Sequence, residues 1–170
     1  MTVRLSRHVC RVLALAAALA GATYAPQASA VVVFTVDYAL DEVDDNPGNL
    51  SCHTATNHCT LRAAVMEATL VPNDDTVIVV PAGTYGLTIP AGAGGVGDGP
   101  LKVPPPAMGN PTLSILGAGA GATIIDIGAS LRAFVVSRPA RIVGMTIRGG
   151  RSQAASCCCG AKFFESRFFV

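Results

Sequence analysis

Between Phe34 and Tyr85 this chain sets out, in close succession, an extended stretch, an acidic loop, a pair of cysteines, a short helical run and an apolar strand. That order reads as the front end of a larger stacked architecture. Val31 to Val36 is β-branched and apolar, the composition of a strand. Asp37, Asp41, Asp44 and Asp45 follow, and Asn46-Pro47-Gly48 punctuates a turn. Thr60 has the side chain to cap a helix, after which Leu61, Ala64, Val65 and Ala68 share one face. Pro72-Asn73-Asp74-Asp75 stops that helix. Thr76 to Val80 is a continuous apolar run, as expected of a strand covered on both sides. Pro81-Ala82-Gly83 then turns the chain into a further strand, Thr84 to Ile89.

Composition narrows the classes. The chain has 170 residues, enough for one modest domain, with 12 basic and 11 acidic side chains and a net charge of +1. No basic stripe runs through it, which argues against nucleic acid as a partner. Apolar residues make up 51%, there are 18 glycines and no Trp, a mixture suited to thin, repeatedly turning strands. Residues 1–30 read as an export signal: Arg4, Arg7 and Arg11 lead, Val12 to Ala22 is apolar, and Ala28-Ser29-Ala30 is a small-x-small cleavage site. The competing reading is a membrane anchor, but the apolar run falls well short of the ~20 residues needed to span a bilayer. The expectation is an exported, extracellular or cell-surface protein that starts near Val31 and has no transmembrane span after cleavage.

Export bears on Cys52 and Cys59, which flank a polar loop from Ser51 to His58. Two readings are open. A disulfide would contribute about 2.5 kcal/mol on the chain-entropy account. A zinc site would recruit His53 and His58. An oxidising compartment favours the disulfide. The acidic loop offers Asp41, Asp44 and Asp45 as weak calcium candidates, yet it lacks the spacing of a calcium loop, and a solvated turn is the plainer reading. No metal site and no cofactor is therefore assigned. Arg62, near the start of a helix, calls for a carboxylate, and Asp74 or Asp75 at the head of the next strand would supply one; Asp75 is the expected ion-pair partner.

Residues 90–111 are rich in Gly and Pro and read as a protruding loop. From 112 to 150 a weak repeat emerges, with Leu113-Ser114-Ile115 and Thr123-Ile124-Ile125 answered by Phe134-Val135-Val136 and Met145-Thr146-Ile147. Strands of that kind with glycine corners, among them Gly117, Gly119, Gly128 and Gly149, suggest a parallel solenoid in which successive rungs stack. A small β-sandwich is the alternative.

These residues resemble a named module. Phe34-Thr35-Val36-Asp37, Asp41-Glu42-Val43-Asp44, Asn46-Pro47-Gly48, Cys52, Cys59-Thr60-Leu61-Arg62, Glu67-Ala68, Asp75-Thr76-Val77-Ile78 and Pro81-Ala82-Gly83-Thr84-Tyr85 resemble the CSLREA domain, an N-terminal module of exported bacterial proteins. Ala63 stands where the module's name has Glu. Leu113 to Gly117, Ala122 to Asp126, Arg132 to Phe134 and Met145 to Gly150 look like early coils of the right-handed parallel β-helix that commonly follows it. The resemblance implies a mainly β protein: a few coils of right-handed parallel β-helix behind a small α/β cap, residues 31–89, containing one short helix. It brings no catalytic residues.

After Gly150 the rhythm breaks. Residues 151–170 hold Cys157-Cys158-Cys159 and then four phenylalanines, and they read as foreign to the fold, the product of a frameshift or a truncated gene model. The three cysteines make a poor tetrahedral metal site. Carbohydrate-active β-helix enzymes need clustered carboxylates, whereas Asp126, Arg132, Arg138, Arg141 and Arg148 are scattered along the sequence. The expected role is structural or adhesive, with extracellular polysaccharide or cell-surface components as partners and no catalysis. The alternatives are a fragment of a polysaccharide lyase-like or hydrolase-like enzyme, and a non-functional gene fragment.

Overall fold

The computed structural model describes residues 30–150 except 73, 94–96, 110 and 129–131. Residues 1–29 of the expected export signal and the tail 151–170 with its cysteines lie outside the described residues.

The fold is mainly β, with parallel strands and one helix. In chain order it runs β1 (Val31–Thr35), α1 (Leu61–Leu70), β2 (Asp75–Val80), β3 (Gly83–Gly86), β4 (Leu101–Val103), β5 (Leu113–Gly117), β6 (Thr123–Asp126), β7 (Phe134–Val136), β8 (Ala140–Val143) and β9 (Thr146–Arg148). Three sheets form, ordered β1-β2-β5-β8, β3-β6-β9 and β4-β7. Every strand pair in them is parallel. The chain visits the sheets in rotation. β2, β3 and β4 lay down one strand each; β5, β6 and β7 repeat the order; β8 and β9 open a third round. The parallel registers displace the sandwich alternative, since a sandwich joins its strands largely by antiparallel hairpins.

In-register stacking builds the core. Phe34 lies opposite Ile78, Ile78 opposite Ile115 and Ile115 opposite Ile142. Tyr85, Ile125 and Ile147 form a second column, and Leu101 with Phe134 a third. Fully burying one such side chain is worth about 1.5–3 kcal/mol. On β2 only Thr76, Ile78 and Val80 are fully buried while Val77 and Val79 are half-exposed, so the strand is covered on one face rather than on both. A continuous apolar run had hidden that alternation.

Two further expectations change. The repeat has three strands per round, not two. Residues 113–115 pair with 140–142, and 134–136 pair back onto 101–103, so only the match of 124–125 with 146–147 follows the expected register. The segment 90–111, expected as a protruding loop, carries β4, whose Leu101 and Val103 are buried.

Helix α1 begins where Thr60 Oγ1 accepts the Ala63 amide, and it ends at Leu70 before Val71-Pro72. Leu61, Ala64, Val65 and Ala68 join the core, and the helix packs against β1, β2 and β4. Arg62, Ala63 and Glu67 on its other side are buried too, because loop segments cover them.

Candidate functional site

The polar chemistry of the described residues gathers between α1 and the acidic loop. Arg62 is the second residue of the helix and is 1% exposed. Its Nε donates to Asp41 Oδ1 at 2.6 Å and its Nη2 to Asp41 Oδ2 at 3.0 Å, a bidentate pair closed off from solvent on both sides. Asp41 Oδ2 also accepts the amides of Thr88 at 2.6 Å and Ile89 at 2.8 Å. Arg62 Nη1 donates to the carbonyls of Gly97 and Gly99. One ion pair thus fastens the acidic loop, the helix, the stretch after β3 and the approach to β4.

The expected partner was Asp75, and this is corrected. Asp75 opens β2, and its carboxylate accepts the Thr112 amide at 2.8 Å, just before β5 in the same sheet. That backbone hydrogen bond holds its carboxyl below the ordinary value. The Arg62 guanidinium turns instead toward the loop that covers the helix.

Glu67 is the residue that the sequence reading left without a role. Fully buried, it accepts the amides of Gly48, at 2.6 Å, and Leu50. Both residues have positive φ, 95° and 65°, so that their N–H groups converge on one carboxylate as in an anion-binding concavity. The motif did contain Glu67, but nothing in a helical periodicity signals that its target is backbone.

The remaining acids also hold the loop together. Asp44 is buried and accepts the amides of Asn46, at 2.9 Å, and His53, at 3.1 Å. Asp45 Oδ2 lies 3.0 Å from His53 Nδ1. Asp41 and Asp44 are thus buried anchors of a folded cover, while Asp45, Asn46 and Gly48 to Leu50 stay exposed as in a solvated turn. The calcium candidates do not converge: Asp41 is engaged by Arg62, and Asp44 and Asp45 by the amide and the ring of His53, and among the described residues no group of three or more His, Cys, Asp or Glu side chains is placed to hold a metal ion.

Cys52 and Cys59 form a disulfide with their Cα atoms 5.1 Å apart, which takes both sulfurs from the zinc alternative. The Cys59 amide donates to Asp37 Oδ1 at 2.8 Å, and His58 stacks on Tyr38 with ring centroids 4.2 Å apart. The C-terminal end of the ring is thereby sewn to the preceding acidic segment.

Outside the cap, Asp126 pairs with Arg148 across β6 and β9 at 2.9 Å. The Gly128 amide, followed by Arg148, holds the Asp126 carboxyl below its ordinary value. Arg138 is buried and donates to Ala68 O at 3.4 Å, near the C-terminal end of α1, while its Nε has no hydrogen-bond partner. An open cleft of about 370 Å³ is lined by Val43, Asp44, Asp45, Pro47, Ile89 and Asp98 among others. Its acids already have partners, so it presents no free acid–base pair. What the arrangement does chemically is hold a loop over a helix and the helix against β1, β2 and β4, strands of two of the sheets. Comparison with protein-family models, with curated proteins and with solved structures finds no match to this chain.

Proposed function

We propose that the chain is an exported structural or adhesive protein of extracellular or cell-surface location: a CSLREA-like cap leading into a right-handed parallel β-helix. The observation that carries this reading is the rotation of the chain through three parallel sheets with aliphatic columns in register, closed at its N-terminal end by a disulfide-clasped loop and helix. A stack of this kind presents repeating side chains at the ~4.8 Å strand spacing, a regular surface for holding a polymer or a cell-surface component. The buried acids Asp41, Asp44 and Glu67 all accept hydrogen bonds from protein donors, which supports a holding role.

The test has two parts. Exported material should begin at Val31 on N-terminal sequencing; an intact Met1 end on membrane-held protein would reverse the export reading. A panel of extracellular polysaccharides, with and without calcium, should show retention without turnover. Product release from any of them would favour the alternative, a carbohydrate-active enzyme fragment.

A further inference from the structure

The disulfide ring carries a histidine placed between two oxygens. His53 Nδ1 is 3.0 Å from Asp45 Oδ2, and its Nε2 is 2.7 Å from Asn57 Oδ1. A neutral imidazole owns one N–H and an imidazolium two. Only the charged ring donates to both oxygens at once. With the ring neutral, one contact is lost unless the Asn57 amide turns over. The backbone beside it couples the ring to the cover: the Asp45 amide donates to His53 O at 3.0 Å, and the His53 amide to Asp44 Oδ2 at 3.1 Å. Asn57, at φ 64°, is held by its amide on Thr54 O at 2.9 Å.

We propose that the Cys52–Cys59 ring is an acid-tightened clasp, in which protonated His53 bridges the acidic segment, through Asp45, to the far side of the ring, through Asn57. Asp45 and Asp44 are the charged groups that face the imidazole, and Asn57 is its neutral neighbour. The hydrogen bond with Asn57, then that with Asp45, raise the imidazole above its ordinary value of 6.5. A raised value fixes the sign. The stabilising contribution is complete below the unfolded-state value and is lost as pH rises through the folded-state one. The ring grips the cover in acid and slackens toward alkaline pH, across the range in which a histidine switches. The disulfide keeps the ring closed throughout, so the change is local.

Solution NMR on the full chain tests this by following the His53 ring protons from about pH 5 to about pH 8, together with amide exchange at Asp45, His53 and Asn57. The expected result is a ring that titrates above 6.5 and amide protection, corrected for intrinsic exchange chemistry, that falls with the same midpoint. His53→Gln should make that protection independent of pH, and Asn57→Ala should move the ring midpoint down toward 6.5. A ring that titrates at or below 6.5, or identical corrected profiles in the native chain and His53→Gln, would overturn the proposal.

Discussion

A buried guanidinium is expensive to leave alone, and Arg62 sets the terms for everything around it. Removing one partner of a buried, hydrogen-bonded pair costs about 3–5 kcal/mol because the other charge is stranded. Arg62→Ala and Asp41→Ala should each lower stability by that amount in urea titrations. The double variant should cost much less than the sum; strict additivity would mean that the two side chains do not act as a unit. That Arg62 needed a carboxylate was legible from its place in the helix. Which carboxylate was not, because the choice depends on a loop conformation that Glu67 and Asp44 fix through backbone amides. At the same scale, Asp75 and Asp126 have depressed carboxyl values, so their contributions are present above the ordinary 3.8 and lost as pH falls through their folded-state values. Asp75→Asn should flatten the acid limb of the stability profile, and an unchanged limb would remove Asp75 from it.

Among the elements, α1 was readable almost whole, since its cap, its apolar face and its stop all obey local rules. The strands were readable by their apolar clustering and not by length: β6 and β7, with 4 and 3 residues, were read from Thr123-Ile124-Ile125 and Phe134-Val135-Val136. β2 and β5 hold enough aliphatics to stand out, whereas β4 and β8, with 3 and 4 residues, do not. β4, Leu101-Lys102-Val103, sits alone in a Gly/Pro-rich stretch with no apolar run to mark it; it pairs with β7 of the next round. The corner between β5 and β8 shows how tight the ladder between rounds is. Gly117 and Gly144 face each other so closely that a Cβ on either meets the carbonyl oxygen of the other, and Gly144 also has φ 69°. Gly117 is therefore kept small by contact and not by a positive φ, unlike Gly119, Gly128 and Gly149. Gly144→Ala combines backbone strain with overlap and should cost about 2–4 kcal/mol in thermal or chemical unfolding.

For the whole molecule, cap and sheets share one core, with Leu61, Val65 and Ala68 of the helix in the same cluster as Ile78, Leu113 and Ile125. Reduction of Cys52–Cys59 should therefore shift one cooperative transition by about 2.5 kcal/mol, and a split into two transitions would mean that the cap unfolds by itself. Burial also changes along the stack. Ile125 is fully buried while its partner Ile147 is 36% exposed, and Val103 is fully buried while Val136 is 43% exposed. The earlier rounds are drier than the last described ones.

The Arg62–Asp41 pair has a temporal meaning as well. Asp41 cannot finish its bonds until Thr88 and Ile89 have arrived, nor Arg62 until Gly99 has. A chain emerging N-terminus first would hold its lid half-latched while the first round of strands was still being delivered. Local helix formation would come early and the latch late, because distant contacts are the slow ones to close.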